Sequence, residues 1–289
     1  MASFDIAIIG GDSRLAYMAP CLAEKGYRVV CYATESIVED TEAENPCSYA
    51  DSLKEAVESA DIVVGGIPFF KNEKLFAIKE LSDMEAGDFY RNMKQNQKLF
   101  GGIIPETFKK KCEERKIACY DFMRDEPLAI FNAIATAEGV ILEALKNQLT
   151  NIHGSKSLVL GYGRCGRVLG DKLKGLSADV TICSRNEQEL AYASSLGMHT
   201  ISLHNLEDNI YRYEYVYNTI PAILIRKNML KKMKRDVLII DIASGEGGVD
   251  YKAAKALGVQ ALLCPGLPGK YAPKISAYGL VDYVIRKAF

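Results

Sequence analysis

Three glycines spaced as Gly161-x-Gly163-x-x-Gly166 follow the apolar run Ser157–Leu160. That pattern suits the pyrophosphate of a dinucleotide. The first glycine permits a tight turn, the second lets phosphates approach the backbone, and the third lets the next helix pack on the strand. The helix start then offers N–H groups and a positive dipole end. Tyr162, Arg164 and Cys165 complete the turn. The next strand, Asp179–Cys183, runs into Ser184-Arg185-Asn186. NAD sites usually carry an acidic residue at that strand end. Here no carboxylate stands there, and Arg185 suits a 2′-phosphate. The pattern predicts NADP over NAD; the alternative is a permissive site in which Arg185 stacks on adenine.

Two further loops follow strand-like runs in the same half. They are Asn218-Thr219-Ile220-Pro221 and Asp241-Ile242-Ala243-Ser244, the latter continuing into Gly245-Glu246-Gly247-Gly248. Ligands of open α/β sheets sit beyond the carboxyl ends of strands, which puts both loops on the cofactor side. The other half opens with Gly10-Gly11-Asp12-Ser13-Arg14. It lacks the spaced third glycine and is a poor second dinucleotide site. Its backbone amides and Arg14 suit a carboxylate instead.

The elements that position these loops repeat. Each half reads strand, glycine turn, helix, strand, and the alternation continues after it. The run Val237–Ile240 is fully apolar, as a central parallel strand covered on both faces should be. The expected fold is α/β: two doubly wound parallel-sheet domains, the second a Rossmann NAD(P)-binding domain, joined by a long helix. Residues 1–125 form a flavodoxin- or Rossmann-like substrate domain, 126–150 the linking helix, and 151–270 the nucleotide domain. Residues 271–289 form a last helix that returns to the first domain. The linker keeps helical spacing through Ile134, Ala137, Ile141, Leu142, Leu145 and Leu149, so a rigid crossing that borders a cleft is expected. The polar stretch 71–97 reads as a solvated excursion, or alternatively as a lid over substrate.

Composition narrows the chemistry. The 289 residues carry 36 Lys and Arg against 37 Asp and Glu, and that balance argues against a nucleic-acid binder. Only His153, His199 and His204 are available, so a three-histidine metal site would consume them all; no metal is expected. The 8 cysteines form no C-x-x-C pair, and free thiols in a reducing cytoplasm fit them. No uninterrupted apolar run reaches the ~18 residues of a membrane span. Tyr211, Tyr213, Tyr215 and Tyr217 alternate and read as a packed aromatic face.

Several of these motifs together resemble one family, the A subunits of dipicolinate synthase. They are Ile6–Arg14, His153-Gly154-Ser155, Asn218–Pro221, Asp241–Ser244 with Gly247-Gly248, Pro265–Gly269, and Ala272-Pro273-Lys274. The likeness runs essentially end to end; Lys270-Tyr271 departs from the apolar pair often found there. The resemblance implies oxidation of a dihydrodipicolinate-type precursor, from the lysine-pathway aldol product, to dipicolinate. It implies NADP as hydride acceptor, a partner B subunit, and work in the cytoplasm of a sporulating mother cell; a homo-oligomer is expected as well. The substrate is then a small dicarboxylate, and Arg14, Arg124 and Lys274 are the candidate cations. Asp12, Asn132 and Thr136 are further candidates for substrate binding. Glu138, Asp12 and water remain open as proton acceptor, with Arg14, Lys274 and Glu138 the expected catalytic group. Two other readings stand beside this one. A 2-hydroxyacid or amino-acid dehydrogenase shares the architecture, but hydroxyacid enzymes of this kind use a histidine after the central strands, and none follows His204. A non-catalytic, NADP-binding scaffold for the B subunit is the other.

Overall fold

The computed structural model describes residues 3–35 and 47–289. The chain divides into two compact units, 1–131 with 268–289, and 132–267. The first contains β1 (Phe4–Ile9), α1 (Ser13–Glu24), β2 (Val29–Tyr32), β3 (Ser48–Tyr49), α2 (Leu53–Glu58) and β4 (Ala60–Gly65). A hairpin follows, β5 (Phe70–Lys71) and β6 (Lys74–Leu75). Then come α3 (Ala86–Asn92), β7 (Lys98–Gly101), α4 (Glu106–Glu114) and β8 (Ala118–Asp121). Helix α5 (Glu126–Asn147) carries the chain into the second unit.

That unit holds β9 (Lys156–Leu160), α6 (Arg164–Gly175), β10 (Asp179–Ser184), α7 (Glu187–Ser195), β11 (His199–Ser202) and α8 (Leu206–Asn209). It continues with β12 (Tyr215–Asn218), α9 (Lys227–Lys232), β13 (Leu238–Asp241), α10 (Tyr251–Leu257) and β14 (Gln260–Leu263). Helices α11 (Leu267–Tyr271) and α12 (Pro273–Ala288) end the chain.

Both six-stranded sheets are parallel. Their orders are β3-β2-β1-β4-β7-β8 and β11-β10-β9-β12-β13-β14. Setting aside the β5–β6 hairpin, each reads 3-2-1-4-5-6, the doubly wound order. The fold class expected from the sequence is therefore borne out. In each sheet the connection reverses direction beside the first strand, between β1 and β4 and between β9 and β12. The glycine turns lie at those two switch points, where such sheets take ligands.

Burial explains why the sheets form. Strands β2, β12 and β13 are buried at every position, so they read as apolar runs rather than alternating ones. Helix α12 belongs to the first unit's core: Ala277, Leu280, Val281 and Val284 share one cluster with Leu15, Met18 and Leu22 of α1. In the second unit Gly170 of α6 packs close to the sheet. A Cβ there would lie 3.1 Å from Ile182 and 3.2 Å from Met198.

Three expectations change. The stretch 71–97 is not a wholly solvated excursion. Leu75, Ala77, Met84, Phe89 and Met93 are buried, and Phe89 joins a ring cluster with Phe69, Phe70 and Phe108. Asp83 pins the segment by accepting from Tyr32 Oη at 2.5 Å and Leu53 N at 2.9 Å. The apolar residues are irregularly spaced, so no period announces them. Helix α5 is long and apolar enough to span a bilayer, although more than half of its most apolar stretch is buried in protein. Counting uninterrupted runs misses it, because Asn132, Thr136, Glu138 and Glu143 break the run but not the average. The tyrosines are a packed face only in part: Tyr213, Tyr215 and Tyr217 are buried, while Tyr211 sits exposed on a short turn.

The packing of α12 carries a consequence for stability. Leu280→Ala should lower unfolding stability by about 2–5 kcal/mol, since the side chain is buried in the core cluster shared with α1 and its truncation leaves a cavity. Urea unfolding followed by circular dichroism measures this. A loss below about 1 kcal/mol would show that α12 is not core.

Candidate functional site

In the second unit the turn after β9 is shaped by what each glycine lacks. Gly161 has φ +90°, and a Cβ there would lie 2.5 Å from Thr219 Oγ1 and 3.0 Å from Ile220. Thr219 crosses directly over the turn, with its N–H and hydroxyl both donating to the Leu160 carbonyl at 3.0 and 2.8 Å. Gly166 is equally constrained: its Cβ would stand 2.2 Å from the Gly161 carbonyl oxygen. Gly163 is different. A Cβ there would meet nothing within 4 Å. It is exposed and caps α6 with no side-chain hydrogen bond, and the helix has no acidic residue in its first turn. The first turn of α6 thus brings no carboxylate of its own to the space over Gly163. Those residues fit a pyrophosphate.

The loops around this turn are fixed from below. Asn218 and Asp241 are fully buried at the ends of β12 and β13. Asp241 accepts four hydrogen bonds: from Asn218 Nδ2 and Ala243 N at 2.9 Å, Gly248 N at 2.6 Å and Tyr251 Oη at 2.8 Å. Burial and the neighbouring carboxylate push the Tyr251 phenol up, so it stays a donor. Gly247 and Gly248 wrap the pair. Their Cβ atoms would lie 2.5 Å from Asp241 Oδ2 and 2.3 Å from Asn218 Nδ2. Asn218 and Asp241, expected to touch cofactor, have no surface open to a ligand and instead hold the loops after β12 and β13. Ala243 is buried beside them, leaving Ser244, Pro221 and the half-buried Thr219 and Ile220 accessible. Tyr162 is likewise turned inward, 1% exposed, with the Arg167 guanidinium 5.6 Å from its ring centroid. Arg164 is exposed and Cys165 half-buried, its thiol pushed up by burial.

The adenosine side contains a group that the strand-end motif does not announce. Arg185 is exposed and Asn186 caps α7, accepting from Gln188 N at 2.9 Å. Ser184 donates its hydroxyl to Glu189 Oε2 at 2.5 Å and accepts from Asn186 N at 3.0 Å. A carboxylate therefore does reach the strand end, from one turn into the next helix. Only the helical geometry, not the strand-end position, could have signalled it.

The first unit's turn is closed by its own chain. Gly11 N donates to the Phe76 carbonyl at 2.7 Å, and Ile78 N donates back to the Gly11 carbonyl at 3.1 Å. A Cβ on Gly10 would lie 2.6 Å from that Phe76 oxygen. Gly10 N is taken by the Tyr32 carbonyl and Arg14 N by Asp12 Oδ1. Three of the five amides of the expected carboxylate nest, those of Gly10, Gly11 and Arg14, are thus spent on protein. Arg14 is 2% exposed. Its Nε and terminal nitrogen grip Asp12 at 2.9 and 2.7 Å, and the same terminal nitrogen donates to the Ile67 carbonyl at 3.1 Å. A Cβ on Gly269 would stand 2.3 Å from Asp12 Oδ2. The Arg14–Asp12 pair therefore clasps the loops after β1 and β4 and the chain at Gly269.

The other candidates are scattered. Arg124 follows edge strand β8, three strands and roughly 14 Å from β1. It is exposed and paired with Glu106 at 2.7 Å, so it does not join Arg14. Lys274 lies in the first turn of α12, exposed, five residues beyond Gly269. On α5, the Thr136 hydroxyl donates to the Asn132 carbonyl at 2.9 Å, one turn back along the helix. Glu138 is exposed and paired with Lys172 at 2.8 Å. All three histidines are exposed; His199 meets Asp179 at 3.2 Å at the amino ends of β10 and β11, away from the glycine turn.

Comparison with known proteins agrees with this division. Residues 5–123 match the family of the N-terminal domain of the dipicolinate synthase A subunit. Residues 132–262 match the NAD-binding domain of D-isomer specific 2-hydroxyacid dehydrogenases. The A subunit of Bacillus subtilis dipicolinate synthase is 29% identical over 98% of this chain and 95% of its own. The crystal structure of the A subunit of dipicolinate synthase from Bacillus halodurans superposes with a TM-score of 0.85 at 25% identity, covering 99% of this chain and 98% of that one. That of the Bacillus subtilis protein gives 0.83 at 25% identity, covering 100% and 96%. The resemblance read from the sequence is borne out end to end, and the second unit is an oxidoreductase domain for a nicotinamide cofactor.

The two turns give a direct test. Gly163→Ala adds a methyl group where no protein atom lies, so the melting temperature should hold within about 2 °C. The methyl group should nevertheless weaken nicotinamide dinucleotide binding at least about tenfold, about 1.4 kcal/mol, by keeping the phosphates off the backbone. Calorimetric titration reads the affinity. Unchanged binding would remove the pyrophosphate from this turn.

Proposed function

We propose that the chain is the A subunit of a dipicolinate synthase, which oxidises a dihydrodipicolinate-type dicarboxylate to pyridine-2,6-dicarboxylate with NADP. The observation that carries the reading is the open cradle at Gly163, in a chain that resembles these A subunits over its whole length. When bound, the cofactor supplies a hydride acceptor at its nicotinamide ring. The substrate loses a hydride from a ring carbon and a proton elsewhere, and aromaticity drives the step. The protein's work is then positioning, with little covalent chemistry. Arg185 favours the 2′-phosphate of NADP. Ser244, Pro221, Thr219 and Ile220 line the nicotinamide side.

Two substrate carboxylates need donors. We assign Lys274, in the first turn of α12, to one of them. Arg14 and Asp12 hold the loop after β1 in its shape, and Arg124, paired with Glu106 at the sheet edge, is left out of the assignment. Asp12 and Glu138 are both engaged by cations, Arg14 and Lys172, so water takes the proton. A B subunit completes the enzyme, in the cytoplasm of a sporulating mother cell. Exposed Ile134 and Leu145 on α5 support self-association as well. The hydroxyacid-dehydrogenase reading lacks a base, since every histidine is exposed and none follows His204. The scaffold reading is favoured by one observation: the strongest candidate cation, Arg14, is buried in an ion pair.

One assay separates them. The product of the lysine-pathway aldol enzyme is supplied with NADP, with and without the B subunit. NADPH formation and the ultraviolet absorbance of pyridine dicarboxylate should rise together. Product only with B would assign chemistry to both polypeptides or make this one the scaffold. No product under either condition would reject the activity.

A further inference from the structure

Resting on the cofactor reading above, we propose that Glu189 is a second determinant of cofactor choice, opposing Arg185. The strand end of β10 is where a dinucleotide-binding sheet meets the ribose hydroxyls, and an acidic residue there selects NAD. In this chain that position is Ser184, which carries no charge. Ser184 nevertheless presents one: Glu189 Oε2 lies 2.5 Å from its hydroxyl oxygen. Ser184 is 4% exposed, and its hydroxyl also accepts from Asn186 N at 3.0 Å, so its orientation is fixed from both sides. Glu189 is half-buried in the first turn of α7, five residues later in sequence.

A carboxylate held there accepts a hydrogen bond from a ribose 2′-hydroxyl and repels a 2′-phosphate. Arg185, exposed on the intervening turn, does the opposite. The adenosine end therefore carries both signs within two adjacent positions in space. The chain holds NADP and NAD with a narrower preference than Ser184-Arg185-Asn186 suggests alone.

A purely structural role for Glu189 exists as well. Through the Ser184 hydroxyl it completes the cap of α7. The two roles respond differently to removal of charge alone. Glu189→Gln keeps an amide oxygen to accept from Ser184 and loses the charge. Ser184→Ala releases Glu189 from the strand end. Each variant and the unmodified chain are titrated calorimetrically with NADP and with NAD separately.

Glu189→Gln should tighten NADP at least about fivefold, the size of a screened like-charge contact removed. It should leave NAD unchanged or weaker. Ser184→Ala should move the ratio of the two affinities the same way, and Arg185→Ala should move it the other way by weakening NADP. Equal changes for both cofactors, or none, in Glu189→Gln would overturn the proposal, because a cap alone treats NADP and NAD alike. An unmodified chain that binds neither cofactor would overturn the nicotinamide reading and this inference together, before any variant is measured.

Discussion

Crowding above the backbone at the first strand–helix turn is the constraint on which the two sheets diverge. Both units build the same strand order, and both place glycines at the switch point. In one, the space over Gly163 is empty and α6 begins without a side-chain cap. In the other, the Phe76–Ile78 segment lies on the turn and takes the Gly11 amide and carbonyl. A dinucleotide needs its phosphates against bare backbone, so only the first arrangement can take one. The hairpin, α3 and the phenylalanine cluster gain a reason from this. They anchor the segment that closes the second arrangement.

What holds the open turn open is a layer beneath it. The Asn218–Asp241 pair satisfies itself with four donors and fixes the loops after β12 and β13. A buried carboxylate is costly unless each lone pair is met, and here neutral donors meet them. The first unit uses an ion pair for the same task. Arg14 and Asp12 tie three segments together, and breaking such a buried pair leaves an uncompensated charge. Both devices spend residues that look catalytic on holding shape.

Much of this was legible in the sequence, for definite reasons. The apolar runs at Val237–Ile240 and Ser157–Leu160 and the glycine spacing at 161–166 are local signals, and each sits where expected. The orientation of side chains was less legible. Tyr162, Asn218 and Asp241 belong to the segments that the motifs single out but are buried, which a motif does not reveal. Glu189 was hidden because contact with Ser184 depends on the helical turn between them. The covering of Gly11 depends on a pairing across more than sixty residues, and no local pattern encodes it. Arg124 illustrates the opposite case: a cation after a strand end reads as a ligand, and only the sheet order shows that this strand is an edge and that Arg124 pairs with Glu106.

The contrast between the two turns is tested most directly by counting cofactors. Calorimetric titration of the intact chain with NADP should saturate at one molecule per chain. Two molecules per chain would mean that the turn at Gly11 is open after all. None would mean that the cradle at Gly163 serves something other than a nicotinamide dinucleotide.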